Sequence, residues 1–379
     1  MTAPTPPSRQ PAPDDAARIP HMQADEPAAR QERLSFDRDE LAMVMSHYDI
    51  GVIESIRPLL RGSRQAPKLV IRTPQESYLL KKRAPGRDQP QRVAFTHSLM
   101  VHLYEQGYPI PRLVGTRLDN NSMLQLDTSV YEMFTFVDGS RYLRDTKSAR
   151  HAGIALGHMH RLLEQFTSPF SFPTGGYHDF PEFEKRLDAT PAAVQAREPE
   201  VDMAALGARI DRLRSRFIDA RDRATMLGYA NFPSGIGHGD WHPGNVLFRG
   251  AAVAAVIDFD SARAEPCASD VANGILQFTM QIGTSRDPDN WPIGLELPLL
   301  RSFWAGYDDM CGAKVDGSVR AAIPWLIIEA LIVESVLPIS TTGSFGRIPG
   351  SAFLRIIDDQ VEWVLAHADA INAGLERTS

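Results

Sequence analysis

The chain has 379 residues, 43% of them hydrophobic and 23% charged, with a formal net charge of −7. That length buries a large core and leaves room for two lobes, while the negative balance argues against a sequence-independent nucleic-acid binder, which needs a basic surface. Two cysteines, Cys267 and Cys311, make neither a disulfide framework nor a four-ligand zinc site and suit a reducing cytoplasm.

Residues 1–33 are rich in proline and alanine and lack the apolar stretch of a signal peptide, so a disordered tail is expected there. A capped helix follows over 35–46, with Ser35 placed before Phe36. Residues 51–60 and 68–72 have strand character and are joined by a turn, 61–67, that contains Ser63. A third strand covers 78–83. Its period of two places Tyr78 and Leu80 on the core face and Lys81 on the opposite one; turning Lys82 outward instead would drive the Lys81 ammonium into that core. A helix over about 92–106 precedes Gly107-Tyr108-Pro109-Ile110-Pro111, and the β run 130–137 ends at Asp138-Gly139. Residues 146–166 are amphipathic, with Ile154, Leu156, Met159 and Leu163 at helical spacing; His158 and His160 on that helix are expected to be structural. Pro/Gly-rich loops then lead to a helix over about 203–227 whose Arg/Asp/Glu pairs suggest a solvated face.

The most specific pattern is His238-Gly239-Asp240-Trp241-His242-Pro243-Gly244-Asn245, with Asp258 thirteen residues beyond the Asn in Val256-Ile257-Asp258-Phe259-Asp260. Between them lie a β run, an Arg249-Gly250 turn and a second β run, so a hairpin brings Asn245 and Asp258 to one end. Such a set suits phosphoryl transfer. An attacking hydroxyl needs a proton acceptor, for which Asp240 is placed, and phosphate charges need Mg²⁺ held by hard oxygens, which Asn245 and Asp258 supply.

On these residues the chain resembles the aminoglycoside phosphotransferase and choline kinase superfamily, whose pattern His-Gly-Asp-x-His-x-x-Asn followed by Ile-Asp-Phe/Trp-Asp/Glu is met in full. Protein kinases carry Arg where this chain has Gly239 and Gly where it has Asp260. The resemblance implies a bilobal α+β, protein-kinase-like fold: a small β-rich N-lobe over 34–134 and a larger, mostly helical C-lobe over 135–379. It also implies ATP and Mg²⁺ as cofactors. Ser63 falls where the family places its phosphate-covering loop. Tyr78-Leu79-Leu80-Lys81 is similar to its nucleotide-lysine strand, and 130–137 to its hinge, where Thr135 and Val137 would contact adenine through the main chain. Asp270 matches the Asp that anchors the catalytic loop. One departure stands out: the helix glutamate that normally pairs with the lysine is missing, since the expected positions hold Thr96 and Ser98 with His97 between them. His97 is a candidate for the orienting role, with a solvent-facing histidine as the alternative.

The acceptor is expected to be a small-molecule hydroxyl, with no nucleic-acid or membrane partner. The apolar run 323–339 is interrupted by Glu329 and Glu334 and bracketed by Pro324 and Pro338, so it is expected to be a buried helix. By resemblance the acceptor pocket lies among the C-terminal helices, near Trp304, Tyr307, Trp325, Glu329, Glu334 and Trp363. From residue 290 onward eleven acids face six Lys/Arg, which favours a cationic amino alcohol or hydroxy amino acid over an antibiotic. Glu329 and Glu334, five apart on a helix, face different directions, so at most one reaches the pocket. A nucleotide-binding pseudokinase and an aminoglycoside kinase are the alternatives.

Overall fold

A computed structural model describes residues 34–60, 65–281, 283, 287–311 and 315–376. The expected tail and Ser63 lie outside the described residues. The first helix, α1 (Arg38–Met45), is capped by Asp37 rather than Ser35: the Asp37 side chain accepts from Glu40 N–H, and Glu40 reaches back to Asp37 N–H. This reciprocal box satisfies two amides that a first turn leaves unpaired.

Strands β1 (Ser55–Pro58), β2 (Lys68–Arg72), β3 (Ser77–Lys82), β4 (Leu124–Leu126) and β5 (Ser129–Thr135) form an antiparallel sheet in the order β1-β2-β3-β5-β4. The alternation along β3 is as the sequence implied. Tyr78 and Leu80 join Ile71, Tyr131, Met133 and Val44 in a small core, while Lys81 projects from the other face. Lys82 stays on the core side and is neutralised at its edge by Glu40, 2.6 Å away. Helix α2 (Pro90–Glu105) carries Phe95, Leu99 and Leu103 into a second, larger core that it shares with the C-lobe, so it is packed as part of the floor of the cleft.

In the larger lobe α3 (Thr146–Leu163) lies against the later helix α7 (Leu297–Cys311). Their approach is close enough that a Cβ on Gly153 would stand 1.9 Å from the Phe303 carbonyl oxygen. Helix α4 (Phe183–Arg197), which contains Pro191 and lacks strong periodicity, was not anticipated. Helix α5 (Met203–Met226) was, but its arginines are not simply solvated: Arg212 and Arg216 bond the buried carboxylate of Asp358 on the last long helix, with Arg209 3.9 Å away. Strand β6 (Ser234–Gly237) pairs with β9 (Arg263–Pro266), and the hairpin β7 (Val246–Arg249) and β8 (Ala252–Val256) lies between them in sequence. Helices α6 (Cys267–Thr279), α8 (Gly317–Thr342) and α9 (Gly350–Ala366) complete the lobe. Pro324 and Pro338 lie inside α8 instead of bounding it. That helix is long and apolar enough to cross a bilayer, with mean hydropathy 1.9, but 78% of the span is buried within the protein. Cys267 and Cys311 are both free.

Candidate active site

The loop after β6 is fixed by one carboxylate. Asp270, fully buried in the first turn of α6, accepts the backbone N–H of His238 at 2.7 Å and of Gly239 at 3.0 Å, as well as His160 Nε2 at 3.1 Å. These donors and the two histidines hold the carboxyl below its ordinary range although burial opposes this. Gly239 has φ +73°, and a Cβ there would meet the Ser261 carbonyl oxygen at 2.3 Å, which is why the protein-kinase arginine has no counterpart. The turn presents Asp240 to the cleft. Asn245 Nδ2 donates to the Asp240 carbonyl at 3.0 Å and carboxylate at 3.1 Å, which leaves its amide oxygen as the hard donor. Ile257 N–H donates to the Asn245 carbonyl at 2.9 Å, so the hairpin does bring Asn245 and Asp258 to one end. Asp258 sits at φ +66°, and its buried Oδ1 has no hydrogen-bond partner. A buried carboxylate oxygen that makes no hydrogen bond, at the same end of the hairpin as an amide oxygen, is a donor set that fits a divalent cation. Among the described residues no cluster of three His, Cys, Asp or Glu could hold a metal ion.

Lys81 crosses the cleft to this loop, with Nζ 2.9 Å from Asp260 Oδ2 and 3.7 Å from Asp258 Oδ1. Burial alone would lower its pKa, but Asp260, Asp258 and Glu132 outweigh it and push the pKa up. Asp260 is held well down by the same pairing, with Arg83 Nη2 2.8 Å away, although burial opposes it. His97 is buried, which removes the solvent-facing alternative, and its Nε2 donates at 2.6 Å to Glu132, the cross-strand neighbour of Lys81. Glu132 was missed in the sequence.

The two glutamates of α8 separate as their spacing implied. Glu329 is taken by His178, 2.9 Å away. Glu334 is half-buried, accepts from the Tyr177 hydroxyl and from Gln277 Nε2 at 2.7 Å, and lies near enough to Asp240 to feel its charge. Burial, aided by Asp240 and only partly offset by the Tyr177 hydrogen bond, raises its pKa to about 7. Tyr177 and Gln277 were not singled out in the sequence; Tyr177 comes from the Pro/Gly-rich loops ahead of α4. Trp304 and Tyr307 do not join this group. They line a separate cavity behind Asp270, about 580 Å³ including its open mouth, together with Cys267, Cys311 and His160. Trp325 packs under Arg223, and Trp363 stacks on His367, so neither is brought to Asp240 by these contacts. At the end of β5, Thr135 donates its N–H to the Arg112 carbonyl and its hydroxyl accepts from Arg112 N–H, so its carbonyl remains the candidate for a base contact; Val137 follows the strand end.

The fold and this cleft define a kinase-like phosphotransferase. Residues 55–303 match the model of the phosphotransferase enzyme family, and the chain belongs to that family. It is similar to the homoserine kinase of Hyphomonas neptunium, at 27% identity over 76% of this chain and 82% of that protein, and to that of Bradyrhizobium diazoefficiens, at 28% over 78% and 81%. Among solved structures it resembles a microcompartment-associated aminopropanol kinase, with TM-score 0.62, 16% identity and coverage of 90% and 100% of the two chains. The chain is accordingly a small-molecule kinase with a hydroxyl acceptor.

Proposed function

We propose that this kinase transfers the γ-phosphate of ATP, with Mg²⁺, to a hydroxyl of a small amine-bearing acceptor, an amino alcohol or hydroxy amino acid. The observation that carries this is Glu334, a half-buried carboxylate within electrostatic reach of Asp240, whose two oxygens are already oriented by Tyr177 and Gln277. A buried carboxylate with a raised pKa is costly to ionise and becomes favourable when an ammonium meets it. The names of the relatives, homoserine kinase and aminopropanol kinase, describe acceptors of this kind.

In this mechanism Asp240 accepts the proton of the acceptor hydroxyl, oriented by the Asn245 amide. Asn245 Oδ1 and Asp258 would hold the metal, which neutralises phosphate charge when bound. Lys81 supplies a fixed cation for nucleotide phosphates, Ser63 would cover them, and Thr135 and Val137 would meet the base through the main chain. Glu334 fixes the acceptor ammonium so that its hydroxyl lies against Asp240. Acceptor-stimulated ADP release, screened over homoserine, amino alcohols, sugars and aminoglycosides, tests the proposal. A compound with both amine and hydroxyl should be turned over best, and a neutral sugar winning the screen refutes the cationic acceptor.

A further inference from the structure

We propose that Glu132 and His97 together replace the missing helix glutamate: Glu132 anchors Lys81 for nucleotide binding, and His97 is the positioning residue that aims it. The helix itself offers nothing at the expected places. Thr96 donates its hydroxyl to the Arg92 carbonyl at 3.1 Å, and Ser98 donates to the Phe95 carbonyl at 2.7 Å, so both side chains are turned back on their own turns. The carboxylate comes instead from β5. Lys81 and Glu132 are directly paired across β3 and β5, which puts both side chains on the cleft face of the sheet.

The Glu132 carboxylate is asymmetric in its bonding. Oε1 accepts from Arg83 Nη2 at 2.8 Å and from His97 Nε2 at 2.6 Å. Oε2 is buried, has no hydrogen-bond partner, and faces the Lys81 ammonium at 3.9 Å. Ser122 hydroxyl lies 2.8 Å from His97 Nδ1; donating there, it leaves Nε2–H as the donor to Glu132 and fixes the ring. The orphaned oxygen is thus pointed at the ammonium by bonds made entirely on its twin. Asp258 and Asp260, the closer partners of Lys81, belong to the other lobe and to the metal loop, whereas Glu132 shares a sheet with the lysine and keeps its register whatever the lobes do. A glutamate delivered from a helix depends on where that helix sits. Here the helix contributes only the histidine.

This rests on Lys81 serving the nucleotide, so Lys81→Ala is measured alongside His97→Ala, His97→Gln and Glu132→Gln in the full-length kinase. Each variant is checked by thermal melting, then for KM of ATP, KM of the best acceptor, kcat, and affinity for a fluorescent ATP analogue. His97→Ala should raise KM for ATP by about tenfold, the worth of one hydrogen bond to a charged group, with acceptor KM unchanged within about twofold. His97→Gln, whose amide can still donate to Oε1, should recover most of the loss. Adding His97→Ala to Glu132→Gln should cost little more, because both act through one carboxylate. A folded His97→Ala with normal ATP KM and analogue affinity overturns the proposal, as does full additivity with Glu132→Gln. Should His97→Ala fail to fold, a normal ATP KM in both His97→Gln and Glu132→Gln, with Glu132→Gln also binding the analogue normally, overturns it equally. If Lys81→Ala leaves ATP KM unchanged, the lysine assignment falls with it; if Lys81→Ala raises ATP KM and the others do not, only this inference falls.

Discussion

Glu334→Gln removes the charge at constant shape: the amide oxygen can still accept from Tyr177, and its NH2 can donate to the Gln277 amide once that group flips. The carboxylate is half-buried and already hydrogen-bonded, so its bond to an ammonium is charge-assisted and partly desolvated, contributing about 1.5–3 kcal/mol, or roughly 10- to 150-fold in acceptor KM. The pH acts on the same group. With its pKa raised to about 7, Glu334 is largely uncharged below neutrality and gains its charge as pH rises, so acceptor binding is weak at pH 6 and strengthens through pH 7 toward 8. At pH 7 about half the free enzyme is ionised, so the wild-type advantage over Glu334→Gln is about half its limiting value. The assay is ADP release against acceptor concentration from pH 6 to 8.5, with a deaminated diol of the same chain length as control. KM for ATP should stay within about twofold of wild type. An equal loss for the diol, or a pH profile unchanged in Glu334→Gln, refutes the assignment of Glu334 as the ammonium partner.

Asp240→Asn should retain ATP binding, because Asn245 can still donate to the new amide oxygen, while kcat falls by roughly 10²- to 10⁴-fold; unchanged turnover per bound nucleotide would show that the base lies elsewhere. Asp258→Ala should abolish metal-dependent turnover while the fold survives, measured by ADP release across a Mg²⁺ titration together with a melting curve. Asp358→Ala should lower stability by about 1.5–3 kcal/mol, the worth of hydrogen bonds to a buried charge, since Arg212 remains half-exposed and Arg216 keeps Glu362 3.6 Å away. Denaturant unfolding reads this directly, and a shift below about 1 kcal/mol would place those pairs among solvated surface contacts.

What the sequence disclosed was mainly local. Asp240, Asn245 and Asp258 lie within nineteen residues on a loop and one hairpin, so spacing and turn chemistry bring them together. Lys81 was legible because strand alternation decides its face without knowledge of any partner. Glu132 was not, because its role comes from the pairing of β3 with β5, strands fifty-one residues apart at that point, and an acid inside an apolar β run carries no sign of what lies opposite. Tyr177 and Gln277 escaped for a similar reason: each reaches Glu334 from more than fifty residues away. The aromatic and acidic residues of the C-terminal helices could be gathered by composition but not sorted, and only packing separates Glu334 from Glu329 and from the cavity that holds Trp304 and Tyr307.

Asp270 has a consequence for when the disorder of the catalytic loop is removed. Fixing a backbone residue costs about 1–2 kcal/mol of conformational entropy. In this chain Asp270 immobilises His238 and Gly239, while the His242–Gly244–Asn245 turn is closed by its own bonds before any ligand arrives. That cost therefore falls on folding, and nucleotide affinity carries none of it. The amides of His238 and Gly239 should exchange with deuterium at the rate of the surrounding core whether or not nucleotide is bound, so that ligand-induced protection is sought in the N-lobe and not in the loop that performs the chemistry.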